Sequence, residues 1–157
     1  MSLRILIESP LLEKPCSRVK GVDEGKNILK KLWNVLSKTP NAVGLAAPQI
    51  GIPKRACVVK SEKGTLELIN PVILDQSGII IFEEGCLSYP GKSVITERSR
   101  NIVVQCDNYN RPLYLDASTN SSFLEVVCVQ HEIDHLNGKT MFDRKTNRSD
   151  IMGFADL

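Results

Sequence analysis

The chain has only two histidines, and they stand four residues apart in Gln130-His131-Glu132-Ile133-Asp134-His135. On a helix, residues at that spacing share a face, so both imidazoles can point at one metal ion. Glu132 lies roughly 100° further around the helix from His131, which sets its carboxylate beside the ion, where it can act on water. This is the His-Glu-x-x-His arrangement of hydrolytic metal sites. Two ligands make an incomplete catalytic site, which ordinarily has three and one open position. The stretch Glu84-Gly85-Cys86-Leu87-Ser88 offers Cys86 as the third. With a glycine before it and Pro90-Gly91 close behind, Cys86 reads as a loop residue. A coordinating thiol is deprotonated outright by its metal, and ligation is the role that uses Cys86 best. Histidines on an apolar face can also be hydrogen-bonded core residues. Glu132 between them and Cys86 elsewhere favour a metal site.

A third stretch, Gly44-Leu45-Ala46-Ala47-Pro48-Gln49, is small and apolar and closes on one amide. Gly44, Ala46 and Ala47 carry almost no side chain, so another backbone can approach closely. Alone, the stretch also reads as a tight connection between helix and strand. In their order and spacing the three stretches resemble the peptide deformylase family. Those enzymes are metal hydrolases that remove the formyl group from the formyl-methionine start of new polypeptides. The flanking chain is compatible from about Ile5 to Arg144. One short motif arises by chance on unrelated folds, whereas three in order are specific.

The resemblance implies roles for individual residues. Cys86, His131 and His135 would hold the metal, and Glu132 would take a proton from the attacking water and deliver it to the leaving amine. The Gln49 side-chain amide and the Leu87 backbone N–H would donate to the formyl oxygen. The methionine side chain would sit in an apolar pocket lined by Val43, Leu124, Val127 and Cys128. The peptide backbone would lie against Gly44 and Gly85, received edge-on like an added strand. Glu84 would pair with Arg98, where deformylases carry a matching arginine, as structural support for the site. A solvated surface carboxylate is the alternative for Glu84. The implied cofactor is one divalent metal per chain, Fe2+ in the cell, with Zn2+, Ni2+ or Co2+ able to substitute. The family's usual first glycine is replaced here by Ala42, a departure that bears on the local backbone and leaves Gly44 and Gln49 in place.

Positioning these residues falls to two helices and a set of strands. From Asp23 to Ser37, apolar residues recur at helical spacing, with Asp23 as N-cap and Trp33 in the core stripe. A second helix, starting at Ser122 with a Ser-x-x-Glu capping box and stopping at Gly138, carries the histidines. On it Leu124, Cys128, His131 and His135 fall on one stripe. Between the helices lie short β-rich runs: Ala56–Lys60, Leu66–Asn70, Val72–Leu74, Ile79–Phe82, Val94–Arg98, Ile102–Cys106 and Leu113–Leu115. Glycine-bearing turns at Ser61–Gly64 and Asp75–Gly78 predict two hairpins, and Asn108–Arg111 predicts a third turn. The fold class is therefore α+β: antiparallel sheets packed around the His-Glu-x-x-His helix, with an additional N-terminal helix.

At 157 residues the chain suits one catalytic domain, ending in a short tail, about 145–157, that reads as loosely attached. Hydrophobic residues at 42% fit a globular protein. A net charge of +2 without basic runs argues against direct DNA binding. No run approaches a membrane span, and the opening stretch from Met1 lacks a cleavable leader. The expectation is a cytoplasmic monomer, of a bacterium, an organelle or a virus-infected bacterial cell; the resemblance implies formyl-methionyl nascent peptides as its partners and leaves contact with the ribosome open. Five irregularly spaced cysteines fit free thiols in a reducing compartment, with Cys16, Cys57, Cys106 and Cys128 as small core residues. Two rivals are a zinc metallopeptidase, which would draw a third ligand from downstream of His135, and a non-catalytic domain with a structural metal, which would need a fourth ligand such as Cys128 or Cys106.

Overall fold

The computed structural model describes residues 3–157; Met1 and Ser2, which open the expected leaderless N-terminus, lie outside them. Helix α1 spans Val22–Ser37 and buries Ile28, Leu29, Leu32 and Leu36, the stripe its periodicity predicts. They pack in one cluster with Val58 and Ile69. The cap differs from expectation: Gly21 occupies it, and Asp23 and Glu24 fall in the first turn, where carboxylates complement the helix dipole. Trp33 sits half-buried at the cluster's edge, its indole N–H donating to Glu67 Oε2 at 2.7 Å.

Helix α2 spans Phe123–Leu136 and begins as predicted, with the Ser122 side chain accepting from the Glu125 N–H at 3.0 Å. It ends at Asn137, followed by Gly138 at φ +73°, a left-handed conformation that favours glycine. Every residue from Glu125 to Leu136 is buried. A helix covered all round belongs in the centre of a fold, and the sheets supply the cover.

Strands β1 (Gly44–Ala46), β2 (Ala56–Ser61) and β3 (Gly64–Ile69) form one antiparallel sheet in that order. The predicted β2–β3 hairpin is present, with Ser61 paired to Gly64 across Glu62-Lys63. The second predicted hairpin is absent. Strand β4 (Val72–Ser77) pairs with β7 (Asn101–Gln105), which pairs in turn with β8 (Leu113–Asp116). Strand β5 (Ile80–Cys86) pairs instead with β6 (Tyr89–Arg98). The reason lies in burial: Ile80, Ile81 and Phe82 are buried on both faces of β5, while Val72 and Leu74 on β4 are exposed. Gly78, at φ +72°, is the corner between two sheets. The third predicted turn, Asn108–Arg111, does lie in the β7–β8 connection.

Cys86 is the last residue of β5, paired with Tyr89 and buried, rather than a loop residue. A register shift between Gly85 and Cys86 lets the chain turn at once through Leu87-Ser88 into β6. The tail is not loose. After Met141–Arg144, a 3-10 turn, the Thr146 N–H donates to the Ile95 carbonyl at 2.9 Å. Strand β9 (Phe154–Asp156) then lies parallel to β5, on the edge opposite β6. Ala155 and Leu157 pack into the main core while Phe154 is exposed, the alternation of a strand. Among the described residues no helix is long and apolar enough to cross a membrane.

Candidate metal centre

Three elements converge on the site. Cys86 arrives on the end of β5, His131 and His135 on α2, and Gln49 on the 3-10 turn Ala47–Ile50 that follows β1. One ligand atom from each of Cys86, His131 and His135 lies within 4.8 Å of the others, and all three residues are buried. The Cys86 sulfur stands 3.5 Å from His135 Nε2. The histidine rings are 4.9 Å apart and nearly perpendicular.

The surroundings of His131 suit a cation. Its Nδ1 meets Glu84 Oε1 at 2.8 Å, which orients the ring and leaves Nε2 buried with no hydrogen-bond partner. A buried polar atom without a partner is costly, and a metal ion is the partner that a thiolate and two imidazoles would share. Burial lowers the proton affinity of His131, but Cys86 and Glu84 beside it raise it well above the usual imidazole range. The same neighbours, a sulfur donor and a carboxylate, suit a metal in the proton's place. His135 is held neutral, well below the usual range, by burial and by His131. Neutral imidazole is the metal-binding form.

Behind the ligands runs a chain of ion pairs. Glu84 is fully buried; burial raises its carboxyl, but Arg98 and His131 hold it well below the usual range. Arg98 grips it with Nε at 2.7 Å and Nη2 at 2.8 Å, and its Nη1 donates to Asp134. Arg144 binds the same Asp134 at 2.8 and 2.9 Å. The expected Glu84–Arg98 pair is thus the middle of a longer chain that fixes His131 to β5, β6 and the turn after α2. Such outer partners orient ligands and tune the metal. Sequence reasoning left Asp134 without a definite partner and missed Thr96, whose hydroxyl donates to Glu84 Oε2. The alternation of buried residues along β6 was the available signal: Thr96 and Arg98 are buried and Glu97 is exposed.

Glu132 faces the site from the next position on α2. Burial pushes its carboxyl up to about 7, against the pull of His131. Its Oε2 takes a long 3.7 Å contact from the Cys128 thiol, and its Oε1 has no partner. Gly44 makes this packing possible, because a Cβ there would stand 2.7 Å from the Cys128 sulfur and 3.0 Å from Glu132 Oε2. Gln49 is held from behind: its Oε1 accepts from the Ala46 N–H at 2.9 Å, so Nε2 faces inward, 3.1 Å from Ser88 Oγ and 3.8 Å from the Cys86 sulfur. Buried Ser88 was not singled out in the sequence; its place beside Cys86 was the only hint. Val127 and Cys128 lie inside the main apolar cluster, with Val43 and Leu124 packed against it. The two backbone groups of interest on the β5 turn are engaged within the chain: the Gly85 carbonyl accepts from the Leu157 N–H at 2.9 Å, and the Leu87 N–H donates to the Leu157 carbonyl at 3.0 Å.

A family model described as polypeptide deformylase matches residues 4–150. The chain belongs to the polypeptide deformylase family. It is 40% identical over 146 residues to the peptide deformylase of Desulfitobacterium hafniense, covering 90% of this chain and 94% of that one. Peptide deformylase 1 of Bacillus anthracis is 36% identical over 152 residues, covering 94% and 95%. Among solved structures, peptide deformylase from Thermotoga maritima superposes with a TM-score of 0.79 at 32% identity, covering 93% of this chain and 99% of that one. The Synechococcus elongatus enzyme in complex with actinonin gives 0.78 at 35% identity, covering 93% and 80%. The deformylase reaction is the hydrolytic removal of the N-formyl group from nascent peptides, and the family uses a catalytic metal. The α+β class with antiparallel sheets is that of the family's structures.

Proposed function

We propose that Cys86, His131 and His135 hold one divalent ion, Fe2+ in the cell, and that the chain deformylates formyl-methionyl peptides with Glu132 as acid/base. The observation that carries this reading is a buried three-residue ligand group beside the buried Glu132 carboxylate, whose Oε1 has no partner. When bound, the ion would supply Lewis acidity, lowering the pKa of water and polarising the formyl oxygen. The chain's own residues do the rest. Glu132 takes a proton from the attacking water at Oε1 and hands it to the leaving methionine nitrogen. Gln49 Nε2, fixed by the Ala46 amide, donates to the oxygen on which negative charge develops. The Leu87 N–H is the second such donor. The methionine side chain enters the apolar region of Val43, Leu124, Val127 and Cys128, and the peptide backbone runs between Gly44 and Gly85.

The rivals fit less well. A closed structural site needs four protein ligands, and the ligand group contains three; the Cys128 sulfur is turned toward Glu132. A zinc peptidase would draw a ligand from beyond His135, whereas the third donor here comes from β5. Zinc, nickel and cobalt suit the same donors as iron. The reading extends to a cytoplasmic monomer that meets its substrates as they leave the ribosome. The test is a substrate panel with anaerobically iron-loaded or nickel-loaded protein: formyl-Met-Ala-Ser, acetyl-Met-Ala-Ser and an internal peptide bond reporter. Formate released from the first alone is the expected result. Cleavage of the reporter, or no formate from protein carrying a full equivalent of metal, would contradict it.

A further inference from the structure

Residues 153–157 lie where the substrate is expected. Leu157 is fully buried and belongs to the same apolar cluster as Val127 and Cys128, two of the residues proposed to line the methionine pocket. Its N–H donates to the Gly85 carbonyl and its carbonyl accepts from the Leu87 N–H. Those two backbone groups are the ones that the proposed reaction assigns to the peptide and to the formyl oxygen. One residue thus places an N–H, a carbonyl oxygen and a buried apolar side chain against the backbone groups and the apolar cluster assigned to formyl-methionine. The segment before it is built to stay there. β9 runs along the open edge of β5 from Glu83 to Gly85, the Glu83 N–H donates to the Gly153 carbonyl at 2.8 Å, and the Met152 N–H donates to the Ile81 carbonyl at 2.7 Å. Gly153 lies so close to Phe82 that a Cβ would stand 2.6 Å from its ring, and a Cβ at Gly85 would collide with Asp156. Two glycines at the two points of closest approach allow the strand to seat.

We infer that residues 153–157 are an intramolecular pseudo-substrate strap, a strand that competes with formyl-methionyl peptides for the β5 edge and the apolar pocket. The inference rests on the deformylase site proposed above. Adding a strand to a sheet edge, with side chains in pockets, is a common way to bind peptides, and a tethered strand competes at high effective concentration. Substrate binds only to molecules whose strap has left. If the strap is docked in about nine molecules of ten, the apparent affinity for substrate is lowered about tenfold.

The experiment compares the full chain, a chain ending at Met152, and full-length Leu157→Asp, which puts a charge in the pocket without shortening the chain. Metal-loaded protein is assayed on formyl-Met-Ala-Ser, and amide exchange at Leu87 is followed in the same samples. The expected result is a KM about tenfold lower in both variants with kcat unchanged, faster exchange at Leu87, and competitive inhibition of the shortened chain by the free peptide Gly-Phe-Ala-Asp-Leu. Equal KM values, or Leu87 exchange unaffected by the variants, would overturn the strap. A lower kcat in both folded variants would also overturn it, making the segment part of the catalytic structure. No turnover by any of the three, with metal bound, would sink the deformylase reading instead; Leu87 exchange would still report whether the strap docks.

Discussion

Gln49 shows how a single side chain is prepared for one task. Its carbonyl oxygen is spent on the Ala46 N–H, so its amide hydrogens face Ser88 and Cys86. Gln49→Ala is expected to lower kcat by roughly 10²–10³-fold, the usual effect of removing one oxyanion donor, with metal content unchanged. A kcat within threefold of the parent would remove Gln49 from the mechanism. The cysteines divide by environment in the same way. Burial pushes the Cys57 and Cys128 thiols well above the ordinary range and Cys106 up to about 12, while Cys16 is the half-exposed one. Alkylation of the native metal-loaded protein at pH 8, read by peptide mass, should therefore mark Cys16 first. Early labelling of Cys57 or Cys106 would contradict the burial described. At this scale the sequence was most informative, because the ligand types and the four-residue histidine spacing are local. The orienting partners Thr96 and Ser88 escaped notice because alternation along β6 and closeness to Cys86 can place a hydroxyl inward but cannot name the group it meets.

Between elements, the joint most exposed to mutation is the ion-pair chain of Glu84, Arg98 and Asp134, which ties β5 and β6 to α2. Arg98→Ala would leave buried Glu84 with only His131 and Thr96, and Asp134 with only Arg144, and removing one partner of a buried ion pair typically costs 3–5 kcal/mol. Urea unfolding with chelator present should show a loss of that order, and a loss under 1 kcal/mol would show the chain to be dispensable. The pH dependence has a definite sign. Burial raises Asp134, but Arg144 and Arg98 hold it below its ordinary value, and Glu84 is held low by Arg98 and His131. Both carboxyls therefore add stability above the usual carboxylate pKa of about 4, and that contribution is lost as pH falls below it. Metal-free Asp134→Asn should lose less stability than the parent between pH 5 and pH 3. Both helices were legible from stripes and stop signals. Strand existence was legible too, but pairing was not: β4 and β5 look like a hairpin across Asp75–Gly78, and only the burial of Ile80, Ile81 and Phe82 on both faces sends β5 to another sheet. The docking of β9 was likewise hidden, since parallel pairing with a distant strand leaves no mark beyond the alternation of Phe154, Ala155, Asp156 and Leu157.

As a whole the molecule wraps three small sheets around α2, with α1 packed on the other face of the β1–β2–β3 sheet, so that the ligands sit in the buried interior. A site assembled from β5 and α2 links metal binding to folding. Metal that binds only the folded chain stabilises it by about 2.7 kcal/mol at a free concentration of 100 Kd, and the midpoint of thermal unfolding should rise with metal concentration and fall with chelator. A midpoint indifferent to both would mean that the three ligands hold no ion. The most direct measurement is hydrolysis of formyl-Met-Ala-Ser by matched preparations of the parent and Glu132→Ala, each shown to carry one equivalent of metal. The parent should release formate and free amine, and the variant should retain its metal while losing roughly 10²–10⁴-fold in kcat, the usual worth of a positioned acid/base. A fully metallated variant that turns over like the parent would contradict the role of Glu132 and, with it, the chemistry assigned to this site.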